Sequence, residues 1–567
     1  MYRYIYNQIR KIGSVRRKVR LFKRWKWASY GTYFDWRKIF EKSNHQVLIN
    51  ESKIKKKILI ATSTGGLINA VSLEGAIAAA LSERGAEVDV LLCDKILPAC
   101  QECQIMWYPD QEKFIEYGPQ KDLCLNCFWP AEKLFKSQGC TVHRYSKYII
   151  EEDFKTAKNI TNTISFNKTR KYKFENISVG EHAYAGALRF YAIGTLTQNK
   201  QTEKVLKRYL EASILTVFAL KKLLETYKYT AAFFNHGIYV PQGLIGEVCR
   251  QYKIQVINWN PGYKKKCFIF SHHNTYHHTM MSEPIEKWNK IQWNDKLENQ
   301  LNIYLKSRWE GTQDWIWFHH EPQFDLKNIS NKTGIDFNKP CIGALTSVMW
   351  DAVLHYPSNA FKNMVDWMEH TIKYFSNRSD IQLIIRVHPA ELRGTLYSNQ
   401  QMCKEIDKIF PELPANIFVI PPESDISTYA LMRQCDSVII YNTKTGIELS
   451  AMGIPVIVAG EAWIRNKGFA FEVEKKSEYK VILDKLPFNN RLNGEKLLLA
   501  KKYAYHFFFR RMIPLNIMKP TRGAIPYKVG VNNISELQEG ADRGLDTVCD
   551  GILNNQDFIY PAEKYLQ

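Results

Sequence analysis

The stretch from Ser437 to Gly468 constrains the chain more than any other. It opens on an apolar, β-branched run, Val438-Ile439-Ile440-Tyr441, short enough to be a buried strand. A polar turn follows, Asn442-Thr443-Lys444-Thr445-Gly446. Ile447, Leu449 and Met452 then share one side of a helix ending at Gly453, and Pro455-Val456-Ile457-Val458 reads as a second buried strand. Strand, helix and strand in this order build a parallel sheet. The first N–H groups of such a helix lack internal partners, and its dipole favours negative charge. Two threonine hydroxyls and a lysine stand at the same turn, so the stretch predicts a phosphate cradle.

The alternation extends on both sides. Cys341–Leu345, Gln382–Val387 and Ile417–Ile420 read as strands, with helices over Phe361–Phe375 and Ser424–Met432. One of these strands ends in Arg386-Val387-His388-Pro389-Ala390-Glu391. In open α/β sheets ligands sit at strand carboxyl ends. His388, Glu391 and the 443–445 turn are therefore expected to line one crevice. An earlier unit repeats the pattern. A strand through ILIATSTGG leads to a helix over Ile68–Ser82 and a strand at Glu87–Leu92 followed by Asp94. Strands at Lys228–Phe234 and Ile254–Trp259 follow, the first ending in Asn235-His236-Gly237. The Gly65-Gly66 pair brings backbone close to a ligand or a facing domain, or is a tight turn. His236 suits a general base or a phosphate donor, or caps the next helix. Glu181, in Gly180-Glu181-His182, faces a cleft or complements a helix dipole.

These readings divide the chain into a basic segment (1–50), a first α/β domain (51–280), a helical connector (281–335), a second α/β domain (336–490) and a helical end (491–567) that returns to the first domain.

Within the first domain, an insertion over 98–130 carries Cys100-x2-Cys103, twenty intervening residues, and Cys124-x2-Cys127. Two such knuckles predict a closed four-thiolate zinc site that is structural and does not catalyse. An iron–sulfur cluster takes the same ligands, and unligated buried thiols are the plain alternative. His272, His273, His277 and His278 have no flanking carboxylates and read as a polar, partly solvated stretch.

Charge is concentrated at one end. Residues 1–57 hold 17 Lys/Arg against 3 acids, a net of +14 out of +21, leaving +7 for the remainder. Over residues 1–30, Ile5, Ile9, Ile12, Val15, Val19, Phe22 and Trp25 recur at helical spacing among the basic residues. This predicts an in-plane anchor to an anionic membrane. The alternative is a helix packed on the body with a solvated basic face. No motif for nucleic acid accompanies the charge, so no nucleic-acid partner is expected. No apolar run reaches the roughly 18 residues of a span, and no secretory leader is visible. The expected location is cytoplasmic, peripheral at the inner face of the cell membrane.

Several of these segments together resemble a known group. Val387-His388-Pro389, Tyr441-Asn442-Thr443-Lys444-Thr445-Gly446-Ile447-Glu448, Gly453-Ile454-Pro455-Val456-Ile457 and Arg465-Asn466-Lys467-Gly468-Phe469 are similar to bacterial capsule and surface-polysaccharide biosynthesis proteins. These include the Kdo- and sialic-acid-transferring GT-B glycosyltransferases that use CMP-sugars. The resemblance implies a GT-B fold, two Rossmann-like domains facing a central cleft. It implies transfer of a sugar from a nucleotide-activated donor, a CMP-ulosonic acid first, to a surface-polysaccharide or lipid-linked glycan acceptor. By resemblance His388 and Pro389 meet the nucleotide, Thr443 and Thr445 the phosphates, and Glu448 the ribose. Arg386, Glu391, Lys444 and Gly446 complete the expected donor-binding set. Charge stabilisation from Arg386, His388 and the turn needs no catalytic metal. The base is expected from the first domain: His236, Glu181 or Asp94. A UDP-GlcNAc 2-epimerase, a CDP-glycerol-type polymer transferase and a non-catalytic binding protein are the alternatives on the same scaffold. The double CxxC is not a general GT-B feature, which sets the acceptor domain apart.

Overall fold

Apolar runs become most of the strands of two sheets, because the central strands are covered on both faces and need no polar alternation. The computed structural model describes residues 13–29, 33–42, 56–315, 321–354, 359–394, 396–521 and 525–566. Among these, the first sheet contains β1 (Lys57–Ser63), β2 (Glu87–Leu92), β3 (Thr141–Arg144), β4 (Ala231–Asn235), β5 (Gln255–Pro261) and β6 (Cys267–His272). The second contains β7 (Cys341–Leu345), β8 (Gln382–Arg386), β9 (Ile417–Ile420), β10 (Ser437–Ile440), β11 (Val456–Val458) and β12 (Phe471–Glu472). A last strand, β13 (Ile513–Pro514), returns to the first sheet.

The orders are β13-β6-β5-β4-β1-β2-β3 and β12-β11-β10-β7-β8-β9. Every pairing in the second sheet is parallel. In the first, β1 to β5 pair in parallel, while β6 runs antiparallel to β5 and β13 antiparallel to β6. Only residues 262–266 separate β5 from β6. A parallel crossover needs a dozen residues or more, so this pair has to be a hairpin. The protein is thus α/β, with two parallel-dominant sheets.

The helices that position the site are α1 (Gly13–Ser29), α2 (Ile68–Glu83), α3 (Val179–Tyr191), α4 (Lys200–Thr226), α5 (Gln242–Gln251), α6 (Asp295–Glu310), α7 (Thr445–Ala451), α8 (Gly494–Tyr505) and α9 (Arg543–Asn554). α2 is rich in alanine and is buried from Ala70 to Leu81, because the sheet lies on one side of it and the chain's end on the other. That end supplies Ile513, Leu545, Val548 and Ile552 to the same core as Ile58, Val71 and Ile77. The part of the predicted N-terminal helix before Gly13 lies outside the described residues.

Candidate functional site

Loops following the strand carboxyl ends of the two sheets meet. On the first sheet β4 ends at Asn235, and the chain turns through His236 and Gly237 at φ 64 and 75. The His236 N–H donates to Trp259 O at 2.9 Å, holding the turn on β5. The half-buried imidazole lies between Tyr239 (4.9 Å between ring centres) and His277 (6.3 Å). Its Nδ1 has no hydrogen-bond partner.

The second sheet reaches this turn through the loop after β7. The Tyr239 hydroxyl donates to Asp351 Oδ1 at 2.8 Å and accepts from Ala352 N at 2.8 Å. Ile238 and Tyr239 pack with Ala352 and Leu354 across the same junction. Arg189, from α3, lies 4.8 Å over the Tyr239 ring and 5.6 Å from the Trp350 ring. Burial pushes the His236 imidazole down to about 4, with Asp351 opposing and Arg189 adding to the shift. The ring is therefore neutral at neutral pH, and a neutral imidazole keeps one nitrogen as an acceptor.

The other two candidate bases lie differently. Glu181 stands in the first turn of α3 with Oε1 buried and unpaired. Its neighbour His182 donates from Nδ1 to Ile238 O at 2.6 Å, tying α3 to the β4 turn. Asp94 accepts from Ser146 N at 3.0 Å and from the Ser146 hydroxyl, and so braces the loops after β2 and β3.

On the second sheet, His388 N donates to Thr346 Oγ1 at 3.0 Å. The His388 Nδ1 accepts from Ala390 N at 3.0 Å, which leaves the ring proton of a neutral imidazole on Nε2. Pro389 caps the short helix Ala390–Arg393. Arg386 is buried and donates to the carbonyls of Pro421 and Ser424, beyond β9. Burial lowers it to about 10. Glu391 is buried and accepts from Met402 N at 3.1 Å, and burial pushes its carboxyl up to about 7.

In the turn after β10, Thr445 N donates to Thr443 Oγ1 at 3.4 Å, and the two hydroxyls are 3.3 Å apart. Gly446 has a packing reason: a Cβ there would stand 2.6 Å from Ile440 Cδ1. Glu448 is fully buried. It binds Lys444 Nζ at 2.7 Å and the Tyr429 hydroxyl, and Arg308 Nε of α6 approaches at 3.0 Å. Burial pushes this carboxyl upward, but Arg308 and Lys444 hold it at about 2. Arg308 also pairs with Asp314, and the Lys444 ammonium lies 4.5 Å over the Tyr263 ring. Glu448 thus stitches the second sheet to the connector, with its charge already neutralised.

The four histidines after β6 diverge. His272 stacks on Phe558 at 4.3 Å, His273 is exposed, and His278 bonds Thr275. His277 is half-buried, within the partly solvated stretch expected from its polar run. It turns inward against His236 and, at 5.6 Å, against Trp463 of the second domain. Burial, with His236 beside it, lowers its pKa well below the ordinary value.

The cysteine knuckles lie against the glycine pair after β1. Cys100 and Cys103 place their sulfurs 3.9 Å apart, and Gly66 N donates to Cys127 Sγ at 3.0 Å. Burial pushes the Cys124 thiol well up, and its nearness to Cys100 and Cys127 adds to the shift. Among the described residues, no three His, Cys, Asp or Glu side chains are arranged to hold a metal ion. The glycines make room for this loop and for α1. A Cβ on Gly65 would stand 2.4 Å from Cys127 O, and one on Gly66 2.0 Å from Arg24 Nη2.

Sequence reasoning gave no role to Asp351, His277, Arg189 or Arg308. Asp351 follows a strand carboxyl end by six residues, a position that would have nominated it. The others carry no local signal, since their partners come from distant segments.

Residues 347–482 match the family of capsule polysaccharide biosynthesis proteins, a stretch that spans β8 to β12. A search of the curated proteins finds no significant match to the chain. Among solved structures, the chain is similar to the beta Kdo 2,4 transferase of Thermosulfurimonas dismutans KpsC, at 12% identity and TM-score 0.32, covering 49% of this chain and 79% of that one. The beta Kdo 2,7 transferase of the same KpsC gives 12%, TM-score 0.31, and 56% and 88% coverage. The S. aureus MnaA–UDP structure gives 11%, TM-score 0.24, and 80% and 91%. Likeness this distant carries no residue correspondence.

Proposed function

With residues 347–482 matched to the capsule polysaccharide biosynthesis family, we propose that the protein is a GT-B glycosyltransferase. It moves a sugar, a CMP-activated ulosonic acid, onto a surface-polysaccharide or lipid-linked glycan. One observation supports this reading above others: a neutral His236 whose buried Nδ1 is unpaired, at the junction where Asp351 of the second sheet meets Tyr239 of the first.

In the proposed reaction the acceptor hydroxyl oxygen bonds to the anomeric carbon as the bond from that carbon to the nucleotide phosphate oxygen breaks. His236 takes the hydroxyl proton, and Glu181 and Asp94 are the alternatives for this role. The leaving phosphate keeps the electron pair, and the His388 Nε2–H with the Thr443 and Thr445 hydroxyls meets its charge. The remaining expected donor contacts play supporting parts: Arg386 and Glu391 brace the His388 turn, Lys444 and Glu448 the 443–445 turn, and Gly446 the packing beneath it.

Thermal stabilisation by free nucleotides tests the donor side. CMP is expected to stabilise the protein, and His388→Ala to weaken it about tenfold or more, as for loss of a hydrogen bond to a charged group. No stabilisation by CMP, UDP, GDP or CDP overturns the transferase reading, and stabilisation by UDP alone transfers support to the epimerase.

We also propose that Cys100, Cys103, Cys124 and Cys127 bind structural zinc. A four-thiolate site with Zn–S bonds of roughly 2.3 Å spaces its sulfurs about 3.8 Å apart. The first knuckle already has this spacing, and the Gly66 N–H that donates to Cys127 Sγ suits a metal-bound thiolate. Elemental analysis of the purified protein is expected to find one zinc per chain, lost in Cys100→Ser. Protein with neither zinc nor iron refutes the site.

A further inference from the structure

An amphipathic helix whose only partner is a protein core buries its apolar stripe and exposes its charges. α1 instead turns two arginines inward and leaves part of its apolar stripe outside. At 100° per residue, Arg20, Leu21 and Arg24 share one side, and this side faces the body. Arg24 Nη1 pairs with Glu102 Oε2 at 2.5 Å, with both side chains largely buried. The Arg20 and Arg24 guanidinium groups lie 5.6 and 5.9 Å from the centre of the Trp107 ring, and Leu21 packs on the first core. The opposite side points to solvent. Val19, Phe22 and Trp25 are 37%, 59% and 43% exposed, one every three residues, and Phe22 and Trp25 lie ring to ring at 5.6 Å. Lys18, Lys23 and Lys26 are exposed among them.

We propose that this outer face of α1, apolar side chains set between exposed lysines, lies in the surface of an anionic lipid bilayer, with Arg20, Arg24 and Leu21 clamping the helix to the first domain. The mixed chemistry selects that occupant. Apolar side chains between lysines match the boundary between acyl chains and negative headgroups, where burial and charge attraction add. A second copy of the same face would set lysine against lysine, and a nucleic acid would leave Phe22 and Trp25 without use. The clamp sits on the Gly65–Gly66 turn, where Arg24 occupies the space beside Gly66. That turn follows β1, so the bilayer would lie on the side of the first sheet where its strand carboxyl ends open. On the transferase reading, this holds the acceptor half of the site near lipid-linked glycans. The docking itself does not rest on that reading.

Co-sedimentation of the full-length protein with vesicles is the test. Phosphatidylcholine vesicles containing phosphatidylglycerol are expected to carry the protein down, and pure phosphatidylcholine vesicles are not. Each of Lys18→Gln, Lys23→Gln and Lys26→Gln is expected to weaken binding about fivefold, and added salt weakens it further. Val19→Ser, Phe22→Ser and Trp25→Ser combined are expected to weaken it at least about a hundredfold, with the thermal midpoint unchanged because the residues are exposed. Binding that survives the triple substitution overturns the proposal. So does the absence of binding, a dimer in lipid-free buffer that the triple substitution dissolves, or equal affinity for nucleic acid and vesicles. Vesicle binding needs no nucleotide and nucleotide stabilisation needs no vesicle, so either reading fails independently of the other.

Discussion

His236→Asn lowers the turnover of sugar transfer by about 10² to 10⁴, the usual contribution of a positioned general base. Asparagine is the right replacement because His236 adopts φ 64, a left-handed conformation that asparagine tolerates and alanine resists. The variant keeps its thermal midpoint and its stabilisation by nucleotide, since the donor side lies on the other sheet. Nucleotide release from donor and acceptor gives the turnover. The pH profile separates a base from a merely structural histidine. Burial holds His236 down to about 4, so the acid limb of kcat/KM in the native enzyme falls near that value. An acid limb near the ordinary histidine value, or a variant with native turnover, removes His236 from the role and leaves Glu181, with its own unpaired buried oxygen, as the next candidate.

Glu448→Ala destabilises the fold by about 3–5 kcal/mol, as expected when one member of a buried ionic cluster is removed. Lys444 then remains largely buried without its carboxylate, and Arg308 keeps only Asp314. Urea unfolding, followed by tryptophan fluorescence, reads the loss. Adding Lys444→Met to Glu448→Ala recovers part of it, because the stranded ammonium is gone, whereas Arg308 still has Asp314. The same carboxyl makes stability depend on acid. Its folded value of about 2 lies below the ordinary 4.5. The stabilisation is therefore complete above about 4.5 and is lost as the pH falls toward 2. If Glu448 instead served chiefly to hold a ribose, Glu448→Ala would keep its stability and lose only nucleotide binding. That outcome would refute the stitching role.

The long parallel strands were legible for a simple reason. β1, β4, β7, β8, β10 and β11 are buried on both faces and are mostly apolar, while β2 and β5 carry Asp89, Asn258 and Asn260 within otherwise apolar runs. β3, a mixed Thr-Val-His-Arg segment, carries no such run, and its place beside β2 is set by pairing alone. β6 was hidden because its apolar core runs into the histidine-rich stretch, and two-residue strands such as β13 lie below any pattern. The candidate site divides along the same line. His236, His388 and the 443–445 turn stand at strand ends, where sequence order alone places them. The state of each group is a different matter. Glu448 is neutralised by Arg308 of the connector, His277 is drawn inward against His236, and Asp351 arrives from the opposite sheet. Each of these depends on contacts between residues tens to more than a hundred positions apart.

The sequence by itself determined the alternation of strand and helix along the apolar runs, the order of the two α/β units along the chain, and the strand ends that carry His236, His388 and the 443–445 turn. Those are local properties, written in apolar runs and in the turns between them. Only the tertiary structure decided which face of α1 meets the body and what fills the space beside Gly65 and Gly66. It alone decided which carboxylates and imidazoles are buried with partners and which are left without. Burial and partner distance set the free energy of a charge or a lone pair, and neither exists until distant segments are brought together.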